Sequence, residues 1–169
     1  MAKNRFDTGS RKSRKSPIPH AIDAMPAHVT ALYNLGKLEL RAGDARAAID
    51  AFQRALVLRP EMASALNLKG RAHAQLGEFR LAEAALRRSI ELEPDESAAY
   101  VNLLSVYIQL KAPRAAEPLL EEALRRFPKE AAIHWNAHGV YTLLGDSPRA
   151  DEAKRRAIEL NPALARRGK

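Results

Sequence analysis

Four prolines, Pro60, Pro94, Pro128 and Pro162, stand 34 residues apart. A fixed interval of that length marks a chain built from stacked copies of one supersecondary unit, each unable to bury its apolar face alone. In register the units are 29–62, 63–96, 97–130 and 131–164, and small residues recur in columns. The twentieth position holds Ala48, Ala82, Ala116 and Ala150, and the twenty-seventh holds Ala55, Ser89, Ala123 and Ala157. The eighth holds Gly36, Gly70, Leu104 and His138, and the fifteenth Gly43, Gly77, Lys111 and Gly145. Two antiparallel helices pack closely only where small residues face the crossing of their axes, with large residues filling the space beside it. The columns therefore predict a pair of helices per unit.

The punctuation fits. A glycine that adopts positive φ ends a helix well, and Gly43, Gly77 and Gly145 stand where the first helix of a pair would stop. The four periodic prolines fall just past the second helix. Helices are expected at roughly 28–42 with 45–58, 62–76 with 79–92, 96–110 with 114–126, and 130–144 with 147–160. The third unit lacks the turn glycine, reading Lys111-Ala112-Pro113. Pro113 suits a helix start, whereas Pro118 about a turn further on predicts a late start or a kink. In the fourth unit His138 takes the small column and Lys154 the large apolar one, so that unit is expected to pack less tightly than the first. Its second helix is polar enough to face water and close the array by itself, or else its apolar edge, Ala153, Ile158 and Leu160, meets another chain.

These columns resemble the tetratricopeptide repeat. The first unit carries the pattern best, with Leu32, Leu35-Gly36, Ala48, Phe52, Ala55 and Pro60, and the third adds Tyr100, Leu103 and Tyr107. The resemblance implies an all-α, right-handed superhelical solenoid of antiparallel helix pairs. It also implies a non-enzymatic protein–protein interaction module: an adaptor, scaffold or assembly factor holding an extended peptide or a partner helix in a concave groove. In such proteins the first helices line that groove through positions two, five, six, nine, twelve and thirteen. Position six here holds Asn34, Leu68, Asn102 and Asn136; position five holds Tyr33, Asn67, Val101 and Trp135; position nine holds Lys37, Arg71, Ser105 and Gly139; and position thirteen begins with Arg41. An Asn amide both donates and accepts, so a ladder of them can hold a peptide backbone of any sequence; the alternative is that Asn belongs to the common pattern and faces water. Lys37, Arg41 and Arg71 suit an acidic side chain or terminal carboxylate, or form an ordinary solvated face. The family places its large residue at position four, where this chain has His134. Trp135, one residue later, would enter the groove as an apolar anchor or slip into the core. Chaperone-binding members clamp a C-terminal carboxylate with five residues. The matching columns hold Tyr33, Lys37, Leu68, Ala98 and Asn102, so most of that clamp is missing and a chaperone tail is not expected.

Charge divides unevenly. The chain carries +8. Residues 1–20 have six cationic side chains against Asp7, a net +5, and residues 163–169 contribute Arg166, Arg167 and Lys169, a net +3, which leaves the span between them neutral. Residues 1–17 have no helical period and are expected to be disordered. Their cluster Arg11, Lys12, Arg14 and Lys15 would serve as a solubilising tail, or dock on nucleic acid, an anionic surface or a large complex by charge alone. Residues 18–28 are expected to form a lead-in segment covering the first repeat, and 165–169 a basic C-terminal tail. No cysteine is present, which excludes disulfides and thiolate metal sites. No apolar run spans a membrane and no apolar segment follows the basic N-terminus, so a cytoplasmic monomer, or a subunit of a larger complex, is expected. His134 and His138 have metal-ligand spacing, but no third ligand is evident. No nucleophile–base pair or phosphate loop is found, and no cofactor is expected.

Overall fold

The computed structural model describes residues 20–168; the segment 1–17, with Arg11, Lys12, Arg14 and Lys15, lies outside the described residues. Eight helices follow one another: α1 (His20–Ala42), α2 (Ala45–Leu58), α3 (Ala63–Gln75), α4 (Phe79–Leu92), α5 (Ser97–Gln109), α6 (Pro113–Arg126), α7 (Ala131–Leu144) and α8 (Ser147–Leu160), ending in a 3-10 turn, Pro162–Gly168. No strand occurs among the described residues. Each odd helix pairs with the even helix that follows, and each even helix also packs on the next odd one. Successive odd helices touch one another, while successive even helices do not. The stack therefore curves with the odd helices on its inner wall.

The turns show why the pairs form. In each unit the residue at position fifteen has positive φ: Gly43 at 88°, Gly77 at 74°, Gly145 at 76°, and Lys111 at 52°. The same two backbone bonds recur around it. In the third unit Lys111 N–H donates to the Ile108 carbonyl and Ala112 N–H to the Tyr107 carbonyl, both at 3.0 Å, as Gly77 and Glu78 do to Ala74 and His73. This is the Schellman closure of a helix C-terminus. Lysine adopts it here without the glycine that normally makes it strain-free.

The small columns work as contacts. A Cβ on Gly36 would come within 2.6 Å of the Phe52 ring, and one on Gly70 within 2.6 Å of Leu86 Cγ. In the second unit Ser89 replaces alanine, and its buried hydroxyl is satisfied by the Ala63 carbonyl at 2.9 Å. The fourth unit corrects one expectation. Backbones of α7 and α8 approach as closely as those of α1 and α2; α5 and α6 are the pair held further apart. In the third unit two leucines face each other, Leu104 and Leu120, both buried, where the first unit sets glycine against Phe52. In the fourth unit His138 opposes Lys154, which lies only partly buried, and the imidazole Nδ1 meets the Ala150 carbonyl at 3.1 Å. A larger residue in the small column is offset by loss of the bulk opposite.

Two further expectations change. α6 starts at Pro113 and runs through Pro118, so there is no late start, although Pro118 forgoes the backbone bond to the Arg114 carbonyl. The array is also not closed by α8 alone. The 3-10 turn packs on α8 and buries Leu164, started by Asn161, whose side chain accepts from Ala163 N–H at 3.2 Å. The segment 165–169, expected as a tail, begins inside this turn, to which Ala165, Arg166, Arg167 and Gly168 belong. At the other end α1 begins at His20, so the described part of segment 18–28 is continuous with the first helix.

Candidate functional site

The inner wall is built from one face of α1, α3, α5 and α7. On α1, Tyr33 and Lys37 are half-buried while Asn34 and Arg41 are exposed. The Tyr33 ring lies 6.0 Å from the Phe52 ring, which anchors it to the core, and the Lys37 ammonium sits 5.4 Å from its centroid. A cation over an aromatic face keeps its charge available to solvent. Arg71, on α3, is exposed. None of Lys37, Arg41 and Arg71 forms an ion pair with a carboxylate among the described residues, whereas on the even helices Arg54, Arg87, Arg88 and Arg126 pair with Asp50, Glu83, Glu91 and Glu122 and others, such as Arg46 and Arg80, do not.

The asparagines divide into three kinds. Asn34 is exposed. Asn102 Nδ2 donates to Asn67 Oδ1 at 2.7 Å, tying α5 to α3 and leaving the Asn102 oxygen and the Asn67 amide protons without a partner among the described residues. Asn136 is buried, 7% exposed; its Nδ2 donates to the Val101 carbonyl at 2.9 Å, so its N–H serves the junction of α7 with α5. Its Oδ1 receives only a 3.4 Å contact from the Ser105 hydroxyl, which bonds the Val101 carbonyl at 2.9 Å. A ladder of four free amides is therefore not what the geometry offers; three repeats keep amide atoms free and the fourth keeps one oxygen.

Two hollows lie along the wall. A small one of about 150 Å³ is lined by Arg71, Gln75, Asn102 and Ser105. A larger one of about 550 Å³ lies between α5, α7 and the C-terminal turn, lined by Val101, Ser105, Trp135, Asn136 and Leu164, with Glu130 at its edge. Ser105 lines both. Trp135 is half-buried and its indole belongs to this wall rather than to the core clusters. Leu164 and Asn161 escaped the sequence reading. The signal was present, since Asn161-Pro162 is a helix-start pair and position thirty-four already holds a packing residue in Met62. His134 and His138 each turn a ring nitrogen to a backbone carbonyl, Pro128 at 2.9 Å and Ala150 at 3.1 Å. No cluster of three metal-ligating side chains occurs among the described residues, and none of their helices is long and apolar enough to cross a membrane.

The wall is thus a row of cations and amides leading to a hollow of mixed lining, in which Val101, Trp135 and Leu164 supply apolar surface and Ser105, Asn136 and Asn161 polar groups. Comparison with known proteins agrees with this form. A family model for the tetratricopeptide repeat matches residues 21–63, 33–97 and 67–131. No curated protein matches by sequence. Among solved structures, that of MamA superposes with a TM-score of 0.72 at 25% identity, covering 86% of this chain and 85% of that one. TTC0263, a thermophilic tetratricopeptide repeat protein of Thermus thermophilus, gives 0.72 at 25% identity, covering 79% and 75%. An O-GlcNAc transferase of Thermobaculum terrenum gives 0.66 at 29% identity, covering 82% of this chain; this chain spans only 26% of it. The fold supports a protein–protein interaction module, and repeats of this kind are generally non-catalytic. With helix pairs, spacing, turn closures and family model all in agreement over the same residues, the chain belongs to the tetratricopeptide repeat family.

Proposed function

We propose that this protein is a non-enzymatic adaptor, scaffold or assembly factor that holds an extended peptide or a helix of another protein along its inner wall, with an acidic group of that partner against Lys37, Arg41 and Arg71. The observation that carries this reading is the trio of cations left without carboxylate partners beside amide atoms of Asn34, Asn67 and Asn102 that retain free hydrogen-bonding capacity. Charge-assisted bonds to a carboxylate fix the ligand's position, and the amides hold its backbone irrespective of sequence. The wall is preorganised by the packed helix pairs, which lowers the ordering cost of binding. No cofactor takes part.

The test is charge reversal. Lys37→Glu and Arg71→Glu together lie on exposed or half-buried positions and leave the core intact. Partners captured by the full chain and identified by mass spectrometry should be lost by the double variant and kept by a chain lacking residues 1–17. Capture that survives the double reversal rejects the groove.

A second reading rests on the charge distribution, +5 and +3 at the two ends of a neutral body: an accessory subunit that docks through Arg11, Lys12, Arg14 and Lys15 on nucleic acid, an anionic surface or a large complex. Binding of that kind falls steeply with salt and disappears with residues 1–17, whatever is done to the groove.

A further inference from the structure

The groove ends differently from how it begins. At the first two repeats it is open and cationic. At the fourth it deepens to about 550 Å³, a volume typical of a ligand pocket. Its apolar surface comes from three different elements: Val101 on α5, Trp135 on α7 and Leu164 on the C-terminal turn. Glu130, half-buried at the start of α7, places a carboxylate at the rim; exposed Arg166 on the turn does not line it. That carboxylate caps α7, accepting from Ala132 N–H at 3.5 Å, while the cations of the wall, Lys37, Arg41 and Arg71, lie on α1 and α3. The small hollow bounded by Arg71 and Asn102 adjoins it, with Ser105 lining both, so the cations and the indole lie along the same wall.

We propose that this hollow is a specificity pocket for one bulky apolar side chain, aromatic or large aliphatic, of an extended peptide whose acidic residue lies about five to nine positions away, at the rise per residue of an extended strand, and that the C-terminal turn forms the pocket's outer wall through Leu164. The proposal rests on the groove reading above and adds the second anchor and its spacing. Neighbouring helices on the inner wall lie about 8–10 Å apart. From α3 or α1 to α7 is two or three such steps, about 16–30 Å, and an extended chain covers about 3.3 Å per residue. Between the anchors, Asn102 Oδ1, the Asn67 amide protons and Asn136 Oδ1 meet peptide groups. Buried aromatic anchors of this kind carry most of the affinity of a small interface.

The probes are synthetic polar peptides carrying a Glu-Glu pair and one Leu or Phe, with the separation varied in both chain directions. Trp135, the single tryptophan, reports on pocket filling by its emission, and anisotropy of a labelled peptide gives affinity. Peptides in the five-to-nine window should shift the emission to the blue and bind about tenfold more tightly than the same peptide without its apolar residue. Leu164→Ser and Ala132→Leu, the first opening the wall and the second filling the hollow, should each abolish that gain while leaving the peptide without an apolar residue unaffected. Circular dichroism establishes that the variants fold, and the filling variant removes no packing. Affinity that depends on the acidic pair but not on the apolar residue or its spacing overturns the pocket and leaves the groove reading standing. Loss of all peptide binding, together with partner capture indifferent to Lys37 and Arg71, overturns both. A shift in emission on deleting residues 1–17, with no peptide added, would mean that the chain's own segment fills the pocket, and the proposal falls.

Discussion

Replacing Lys111 with glycine should make the protein more stable, although it deletes a side chain and adds backbone freedom. Lys111 has φ of 52°, the left-handed region, which costs an L-residue about 1–2 kcal/mol. The other three turns place glycine in the same position with the same pair of backbone bonds. Glycine forfeits roughly 0.5–1 kcal/mol through the greater entropy of its unfolded state, which leaves a net gain of about 0.5–1 kcal/mol. For a chain of this length that is about 1–4 °C in Tm. The Lys111 side chain is exposed, so little packing is lost. Urea unfolding followed by circular dichroism measures the gain, and the slope m checks that cooperativity across the repeats is unchanged. Lys111→Ala is the control: alanine keeps the unfavourable φ and should leave stability within about 0.5 kcal/mol of the parent. The converse is Gly77→Ala. A Cβ there meets no atom within 4 Å, so its expected loss of about 1 kcal/mol is conformational alone. If Lys111→Gly proves no more stable than Lys111→Ala, strain at the third turn is not what distinguishes it.

Two other outcomes follow from the packing. Gly70→Ala places a Cβ 2.6 Å from Leu86 Cγ and 3.1 Å from the Ala82 carbonyl oxygen, and should cost about 1–3 kcal/mol; adding Leu86→Ala should cost less than the two singles summed, as a double-mutant cycle by urea unfolding reveals. Tyr107 is buried and donates to Glu83 at 2.6 Å while accepting from Arg87 at 2.6 Å. Burial first, and the bond to Glu83 next, push its hydroxyl up to about 12. The protonated phenol is favoured in the folded state, so its stabilisation is complete below the unfolded value near 10 and is lost as pH climbs from there through about 12. Tyr107→Phe should flatten that part of the stability–pH curve and remove the latest phenol from a spectrophotometric titration.

The helix pairs were legible because a few residue types do one job each. Glycines at 43, 77 and 145 adopt positive φ, alanines and glycines sit at helix crossings, and the periodic prolines stop the even helices. Those jobs are local, so spacing reveals them. What escaped depends on contacts between distant columns. Residues 18–28 read as a separate lead-in segment, yet α1 begins at His20 and runs through Pro26 without a break. The histidine at 138 reads as a packing fault, yet it is accommodated because Lys154, sixteen residues on, has withdrawn the bulk that Phe52 supplies in the first pair. Asn136 reads as a groove amide, yet its N–H is consumed by Val101, thirty-five residues earlier. A column identifies a position on the helix; it does not say which neighbour reaches that position first.

The fourth repeat shows how a single-residue shift can convert stability into a surface. Tyr100, at position four of the third unit, is fully buried between α5 and α6, with its ring 5.3 Å from Phe127. In the fourth unit the largest side chain stands one place later. One residue is about 100° around a helix, so Trp135 leaves the interior of its pair and turns to the inner wall. Both consequences are visible. On the outer side of the pair, His134 lines a hollow of about 370 Å³ with Leu124, Ala137, Tyr141, Arg149 and Glu152. On the side it entered, the indole lines the hollow of about 550 Å³ together with Leu164. A core tryptophan would contribute packing worth several kcal/mol; this one forgoes much of that. Under the groove reading proposed above, that exposure has a use: an indole beside Leu164 at the end of the inner wall is placed to hold an apolar side chain of a partner.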